Sequence, residues 1–294
     1  MALPIIFFHY GDPVYLKYSL KQAKHFNPDS AIYLLGDSSN NRYPFTEHIM
    51  AAKYEEDVVA FTKIYKHWST NQEHYELQCF LRWFYIEAFC REYHIGPFIY
   101  LDSDVLLFQQ ISEMEPFFEG CSIANTGDIA GVPAFTYFSG CSALKNFCDY
   151  MLRAYTEPEP LQELEHFHRL PPAGQNGDVS DMIMFQLYFR DHPSETKKLD
   201  LINAELAVDE NISHADGYEM EGGIKKIYWQ NGLPYCKNLA LNKLIQFASF
   251  HFQGDLKALM PRYFKGGGYT LQRISDITRM EFKKTKKAVK KLFK

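Results

Sequence analysis

The stretch that decides the fold is "FIYLDSDVLLF", residues 98–108. Its first four residues are apolar or aromatic, as expected for a strand that enters a core, yet the run leads into Asp102 and Asp104. Two carboxylates this close repel each other, and burying them is unfavourable unless a cation or hydrogen-bond donors compensate. A divalent cation held by both would resolve the conflict. The alternative is that both acids cap neighbouring backbone N–H groups.

Upstream of this stretch, apolar runs at residues 3–8 and 31–37 flank a segment with helical spacing of apolar residues. Strand, helix and strand in this order open a parallel α/β sheet. Such sheets bind ligands beyond the carboxyl ends of their strands, which predicts a binding region at residues 9–12 and 36–38. The sequence has no G-x-G-x-x-G after the first strand and no P-loop pattern. A dinucleotide dehydrogenase and a P-loop NTPase are therefore disfavoured.

The rest of the chain predicts one α/β domain over residues 1–270 with a tail at 271–294. A long helix is expected from residue 73 until Gly96-Pro97, followed by the strand at 98–101. Further on we predict a strand and turn over 134–144, a helix over 149–155, a Pro/Gly-rich loop over 168–178 and a helix from Ser180. Residues 208–223 and 230–238 are expected to form loops around an acceptor.

Charge is distributed unevenly along the sequence. The net charge is -5, but residues 276–294 carry eight Lys or Arg against two acids, which leaves the remainder at -11. An acidic body disfavours nucleic acid as the main partner. The basic tail, with apolar residues among its lysines, is predicted to lie on an anionic membrane surface; the alternative is a solvated terminal helix.

The amino terminus and the cysteines point to a cytoplasmic location. The first apolar run has no basic region before it, is interrupted by Pro4 and stops at His9, which is too short for a signal peptide or a membrane span. Six cysteines lie far apart without a C-x-x-C pair, so neither a zinc site nor a disulfide framework is indicated. We expect a cytoplasmic protein, peripheral on the inner face of the membrane through its tail.

A second cluster of chemically useful residues lies in "ASFHFQGDLKALM", residues 248–260. This segment runs from a strand-like stretch into a turn that carries His251, Gly254 and Lys257. A neutral imidazole can complete a metal's coordination sphere, a glycine lets backbone N–H groups approach phosphate, and an ammonium offsets phosphate charge. Together with Asp102 and Asp104, this cluster predicts a site for a metal-bound diphosphate.

These segments resemble the nucleotide-sugar-dependent glycosyltransferases of the GT-A fold, in particular glycosyltransferase family 8. The resemblance rests on Arg82 in "FLRWFYIEAF", the acids in "IYLDSDVLLF", the turn in "TYFSGCSAL", and the spacing of His251, Gly254 and Lys257. It implies a GT-A (Rossmann-like) mostly parallel sheet flanked by helices. It also implies a UDP-sugar donor, Mn²⁺ or Mg²⁺ as the cofactor, and a glycan or lipid-linked acceptor.

The resemblance also implies roles for individual residues. Asp102, Asp104 and His251 would bind the metal, and Asp181, Lys257 and Arg82 would act in catalysis. Donor binding would involve Arg82, Ser103, Ser139, Gly140, Gly254 and Lys257. The nucleoside is expected at His9, Tyr10, Gly11 and Asp37 because of their position at the ends of the first two strands. Within this set Tyr10 is expected to stack on the base and Asp37 to accept a hydrogen bond from base or ribose. Because family 8 enzymes retain anomeric configuration, the resemblance favours retention.

The sequence departs from the family pattern in three places. Ala258-Leu259 replaces the usual Pro-Trp after the lysine, and Ser139 stands where the family has asparagine in its sugar-binding turn. The family's D-Q-D segment is matched only by "VSDMIMFQLYF", through Asp181. Two alternatives remain: a metal-dependent nucleotidyltransferase or phosphohydrolase, and an inactive sugar- or lipid-binding protein with this fold.

Overall fold

The computed structural model describes residues 2–127 and 131–279. In chain order, the strands are β1 (Ile5–His9), β2 (Ile32–Gly36), β3 (Glu47–Met50), β4 (Phe98–Leu101), β5 (Val105–Leu107), β6 (Ile123–Thr126), β7 (Val132–Phe138), β8 (Thr196–Lys198), β9 (Leu206–Val208), β10 (Met220–Glu221), β11 (Ile224–Lys225), β12 (Tyr228–Gln230), β13 (Leu233–Asn238) and β14 (Lys243–His251). The helices are α1 (Leu16–Phe26), α2 (Glu55–Ile64), α3 (Glu73–Glu92), α4 (Glu115–Phe118), α5 (Cys141–Thr156), α6 (Pro158–Arg169), α7 (Asp181–Asp191) and α8 (Met260–Tyr263). Short 3-10 helices span Ala51–Tyr54, Ile111–Glu113 and Gly254–Leu259.

The larger sheet has seven strands in the order β3-β2-β1-β4-β7-β6-β8. Strands β1, β2, β3 and β4 run parallel to one another, and β6 runs parallel to β8. Strand β7 runs antiparallel to both of its neighbours. The predicted α/β class with a mostly parallel sheet is therefore confirmed, and the carboxyl ends of β1, β2 and β4 share one edge.

A smaller sheet packs beside the first and has the order β12-β13-β14-β5, with β9 added parallel to β14. Strand β5 pairs antiparallel with β14, so that Val105 lies opposite His251. The chain thus leaves the larger sheet at Leu101 and enters the smaller one at Val105. The acidic turn of residues 102–104 is the link between the two sheets, and the end of β14 lies beside it.

The helix that carries Arg82 is deeply buried. In α3, Trp83 lies fully inside the core, and its ring contacts those of Tyr100 and Phe185 at centroid distances of 4.7 and 5.2 Å. Phe185 of α7 stacks on Phe147 of α5 at 3.9 Å. Burial of each side chain of this size contributes roughly 1.5–3 kcal/mol to the free energy of unfolding. This packing therefore fixes the positions of α3 and α7 on one face of the sheet.

Several expectations about secondary structure are confirmed, and two need correction. The strands at 5–9, 32–36 and 98–101 and the helices at 16–26 and 73–92 lie where the sequence places them. The helix expected over 149–155 is longer and begins at Cys141. The segment 230–238, expected to be a loop, is mostly strand: Asn231 and Gly232 both have positive φ and form the two-residue turn between β12 and β13, the geometry that Asn-Gly favours.

The beginning of the predicted tail contacts the body of the protein. Residues 270–279 are helical, and Asp276 accepts hydrogen bonds from Lys17 and Tyr18 on α1, the latter at 2.7 Å. Residues 280–294, which hold most of the basic charge, lie outside the described residues, so the membrane-binding role of the tail stays a prediction. Among the described helices, none is both long enough and apolar enough to span a bilayer.

Candidate functional site

Asp102 is fixed by contacts on one side of its carboxylate. Its backbone N–H donates to the carbonyl of Ala134 on β7 at 2.8 Å. Its Oδ1 accepts hydrogen bonds from Arg82 Nη1 at 2.7 Å and from the Tyr100 hydroxyl at 2.6 Å. Its Oδ2 receives no hydrogen bond from residues 2–127 or 131–279. One oxygen is therefore anchored, and the other is free to bind a ligand.

Asp104 is buried between two basic side chains. Its Oδ1 lies 3.3 Å from His251 Nε2, and its Oδ2 lies 3.1 Å from Lys257 Nζ. Burial by itself would raise the pKa of Asp104, but His251 and Lys257 outweigh it and hold that pKa well below its usual range. Burial would likewise lower the pKa of His251, yet the charge of Asp104 raises it to about 9.

The chemistry of this cluster fits a divalent cation. Asp102, Asp104 and His251 each offer a ligand atom, and these atoms all lie within 4.8 Å of one another. His251 Nδ1 lies 2.7 Å from the carbonyl oxygen of Glu210, which can only accept, so Nδ1 carries the proton. A divalent cation in place of the Nε2 proton would leave His251 neutral, with the lone pair of Nε2 directed at the metal. Two carboxylates and an imidazole suit Mn²⁺ or Mg²⁺.

Arg82 connects the acidic turn to α7. Its Nη1 bonds Asp102, and its Nη2 donates to Oδ2 of Asp181, which also accepts from Trp83 Nε1 at 3.0 Å. Burial raises the pKa of Asp181, although the charge of Arg82 opposes this shift. Arg82 thereby fixes two carboxylates from different parts of the chain at one place.

A cavity of about 950 Å³ opens over this cluster. Seven of the residues predicted from the sequence line it: Arg82, Asp102, Asp104, Asp181, His251, Gly254 and Lys257. Its size is typical of a small-molecule binding site. The structure therefore brings the predicted metal, phosphate and catalytic residues to one cavity.

The residues predicted at the ends of β1 and β2 do not line this cavity, although His9 contacts the acidic turn. Ser103 bonds His9 Nδ1 through its hydroxyl at 2.9 Å, and burial lowers the pKa of His9. Asp37 accepts from the backbone N–H of Gly11 at 2.8 Å, and so fixes the loop after β1. Tyr10 lines a separate cavity of about 590 Å³ between α2 and α3.

Ser139 and Gly140 are not brought to the site. They follow the end of β7, and Phe138 in that strand pairs with Phe98, at the start of β4. Because β7 runs antiparallel to β4, its end lies at the sheet edge opposite the acids. The residues of β7 that line the cavity are Val132 and Pro133, at the beginning of the strand. The sequence predicted a strand here, but did not reveal its direction.

A buried ion pair behind His251 was missed by sequence reasoning. Lys225 Nζ donates to Asp209 Oδ1 at 2.7 Å, to Asp216 Oδ2 at 2.6 Å and to the carbonyl of Asn211 at 2.8 Å. The other oxygen of Asp209 accepts the backbone N–H of His251 at 3.1 Å. Among the cavity-lining residues, Glu76 was missed as well. None of these side chains belongs to a recognisable pattern, so no sequence signal identified them.

Comparison by sequence finds neither a matching family model nor a matching curated protein. Comparison of structures finds the bifunctional glycosyltransferase WbbM, with a TM-score of 0.50, 10% identity and coverage of 94% of this chain and 51% of that one. An active-site variant of LgtC gives a TM-score of 0.47 with 11% identity, over 94% of this chain and 95% of that one. Mouse xyloside xylosyltransferase 1 gives 0.47 with 14% identity, over 71% and 88%.

These similarities concern the fold. The superposition on WbbM shows that the chain has the fold of a glycosyltransferase, which agrees with the GT-A class expected from the sequence. The chain spans about half the length of WbbM. At 10% identity the similarity shows the fold and not the chemistry of the site.

Proposed function

We propose that the protein is a metal-dependent glycosyltransferase that moves a sugar from a UDP-sugar donor to a glycan or lipid-linked acceptor. The observation that carries the proposal is the grouping of Asp102, Asp104 and His251 within 4.8 Å, beside Lys257, in a cavity large enough for a nucleotide sugar. The glycosyltransferase fold supports it. A divalent cation bound to these residues would neutralise the diphosphate and act as a Lewis acid for the departing nucleotide.

Lys257 and Gly254 would stabilise the negative charge that develops on the leaving diphosphate. Both lie in the 3-10 helix Gly254–Leu259, directly after β14, and both line the cavity. Gly254 has a positive φ of 61°, a backbone conformation that side-chain-bearing residues rarely adopt, and open space surrounds the position of a Cβ there. Its backbone can therefore approach a phosphate oxygen closely, while the ammonium of Lys257 supplies a positive charge.

Arg82 and Asp181 would position the reacting groups. Arg82 orients Asp102 by bonding one of its oxygens, and keeps Asp181 fixed at the cavity wall. We assign to Asp181 the orientation of the donor sugar or of the acceptor hydroxyl. Its Oδ2 already accepts two hydrogen bonds, which favours a positioning role over that of a general base. In a retaining reaction the leaving phosphate can itself receive the acceptor proton.

The nucleoside is assigned to the edge formed by the ends of β1 and β2. His9 pairs with Gly36 in the parallel register, so both strands end at the same edge as the acidic turn. His9, Tyr10, Gly11, Asp37 and Ser103 remain in the proposed donor site on this basis. Ser139 and Gly140 are left out because they lie at the opposite edge.

The basic tail is proposed to hold the enzyme at an anionic membrane surface. The support is its local charge in the sequence alone. Removing residues 280–294 should release the protein from liposomes that contain acidic lipids, measured by sedimentation at physiological salt. Equal sedimentation of the full chain and the shortened chain would contradict this role.

The test of the donor site is thermal unfolding with UDP, in the presence and absence of Mn²⁺. A ligand at about 100 times its dissociation constant stabilises the folded state by roughly 2.7 kcal/mol. We expect this shift only when UDP and Mn²⁺ are both present. It should vanish in Asp104→Asn and persist in Asp149→Asn, a control at an exposed aspartate on α5.

Other outcomes would redirect or overturn the proposal. Selective stabilisation by GDP, ADP or CMP would keep the metal site and change the donor. Turnover of the nucleotide without transfer of a sugar would indicate the nucleotidyltransferase or phosphohydrolase alternative. If no nucleotide shifts the transition with any divalent metal, Asp102 and Asp104 are structural and the proposed function is wrong.

A further inference from the structure

The large cavity has two ends that differ in chemistry. Its inner end holds the acidic turn, His251 and Lys257, and its outer end lies toward the start of α3. Arg82, Cys79 and Tyr75 of α3 all line the cavity. Because a helix rises 1.5 Å per residue, the backbone of Tyr75 lies about 10 Å along the helix axis from that of Arg82, while its hydroxyl reaches back to within electrostatic range of Lys257. A donor bound at the metal end therefore leaves the outer end for a second substrate.

The outer end is lined by amide, aromatic and acidic side chains. These include Asn71, Tyr75, Glu76, Gln175 and Asp178. In this outer wall, as far as the structure describes the chain, no lysine or arginine lines the cavity. The outer end is therefore rich in hydrogen-bonding groups and carries negative charge only.

The two outer carboxylates are held in place by neutral donors. Glu76 is only 2% exposed, and its Oε2 accepts from Ser69 Oγ at 2.9 Å and Asn71 Nδ2 at 2.8 Å. Asp178 accepts from the backbone N–H and the hydroxyl of Thr70 at 2.8 and 2.7 Å. Since these partners carry no charge, the negative charge that each acid carries when ionised acts on whatever enters.

Among the described residues, the lysine and arginine side chains that line the cavity belong to its inner end and are already paired. Arg82 bonds Asp102 and Asp181, and Lys257 bonds Asp104. A phosphate, sulfate or carboxylate beyond Tyr75 would meet the carboxylates of Glu76 and Asp178, in a part of the wall where the described residues place no lysine or arginine. Like charges repel appreciably in a partly buried site, because water screens them less there than at the surface.

We propose, on the basis of the proposed function, that the outer end binds an uncharged sugar as the acceptor and excludes acceptors with an anionic group next to the reacting hydroxyl. Sugar hydroxyls donate to the carboxylates and exchange hydrogen bonds with Asn71 and Gln175, whose amides both donate and accept. The ring of Tyr75, which is 60% exposed, provides a flat apolar surface for the face of the sugar. In a lipid-linked acceptor, the phosphate must then lie away from the accepting residue.

The test uses the intact protein loaded with UDP and Mn²⁺ on an array of immobilised glycans. The array carries neutral oligosaccharides together with matched sulfated, phosphorylated and uronic-acid-containing forms. We expect binding to the neutral glycans, with at least tenfold weaker binding to a form that carries an anion on the recognised residue. Binding of UDP with Mn²⁺ is measured separately by thermal unfolding, so that failure of the donor site is recognised independently.

Two pairs of variants locate the binding on the structure. Tyr75→Ala should weaken glycan binding at least tenfold, whereas Tyr93→Ala, at an exposed tyrosine just beyond the other end of α3, should not. Asn71→Lys places a cation at the outer end and should shift the preference toward anionic glycans. Asn146→Lys, at an exposed position of α5 outside the cavity, should leave the preference unchanged.

The outcomes separate the two proposals. If UDP and Mn²⁺ do not bind, the proposed function fails, and this inference fails with it. If they bind but the loaded protein prefers anionic glycans, captures no neutral glycan, or responds alike to Tyr75→Ala and Tyr93→Ala, the acceptor inference alone is overturned.

Discussion

Two buried cations in this protein make nearly the same contacts in different places. Arg82 bonds Asp102 and Asp181, and Lys225 bonds Asp209 and Asp216. Arg82 lines the large cavity, whereas the structure does not place Lys225 among the cavity-lining residues. A cation between two aspartates is therefore not by itself a sign of function, because the same arrangement can hold a ligand site or hold a loop.

The two clusters differ in the contacts of the second oxygen of the paired carboxylate. Asp102 keeps one oxygen free beside Asp104 and His251, while the second oxygen of Asp209 is used on the backbone N–H of His251. The ion pair of Lys225 and Asp209 thus stabilises the end of β14, the strand that carries His251. We assign the Arg82 cluster to ligand binding and the Lys225 cluster to stability. Two predictions test that division, and a third compares it with a buried acid that has no cation bonded to it.

The largest effect is expected from Lys225→Met. Removing the ammonium leaves Asp209 fully buried without its counter-charge, which should lower the free energy of unfolding by about 3–5 kcal/mol. Denaturant-induced unfolding measures this loss. Lys226→Met is the matched control, because Lys226 pairs with Glu219 near the surface and exposed pairs contribute roughly 0–1 kcal/mol. Equal losses in the two variants would remove the stabilising role assigned to Lys225.

An intermediate effect on stability is expected from Arg82→Lys. The positive charge stays, but an ammonium cannot reproduce the fork that reaches two carboxylates, so the free energy of unfolding should fall by about 2 kcal/mol. Binding of UDP with Mn²⁺, measured by calorimetry, should weaken at least tenfold because Asp102 loses its anchor. Arg91→Lys, an exposed arginine on the same helix, is the control. Unchanged nucleotide binding in Arg82→Lys would contradict the division between the two clusters.

The smallest effect is expected from Glu76→Gln, since Glu76 is a buried acid with no cation bonded to it in residues 2–127 or 131–279. Burial raises its pKa, so the folded state holds this proton more tightly than the unfolded state. The stability that results is present below the unfolded pKa and is lost as pH rises through the raised folded value. Glu76→Gln should remove this loss, with a difference of about 1 kcal/mol or less.

Unfolding of the wild type and Glu76→Gln between pH 4 and pH 8 measures that difference, which should grow in favour of the variant as pH rises. Glu73→Gln, an exposed glutamate in the first turn of the same helix, controls for the loss of a carboxylate at this helix end. A difference that is constant with pH, or that favours the wild type at high pH, would contradict the raised pKa of Glu76.

The sequence predicted those parts of the site in which local pattern and chemistry coincide. The run "FIYL" followed by two acids, and "SFH" followed by a glycine and a lysine, each place polar groups at the end of a strand. Hydrophobic pattern defines such strands, and the polar residues stand out against it. Asp102, Asp104, His251 and Lys257 were all found in this way, and the structure groups them in space.

The parts of the site that the sequence did not reveal depend on strand direction and on contacts between residues far apart in the chain. Nothing in "VPAFTYF" tells whether the strand runs with or against β4, and this alone decides that Ser139 lies at the far edge. The contact between Asp209 and Lys225 joins residues from separate elements, and neither position is unusual in the sequence. Periodicity reports which face of an element is buried, but not which element covers it.

The turn at residues 102–104 has a mechanical consequence. It is the direct covalent link from β4 in the larger sheet to β5 in the smaller one, and His251 reaches it from the partner strand β14. An ion bound to this turn and to His251 would link the two sheets, so that local unfolding of one sheet would require unfolding of the other. Amide hydrogen exchange in β5 and β14 should then slow when Mn²⁺ is added. The exchange rates of these backbone amides would therefore measure ligand binding.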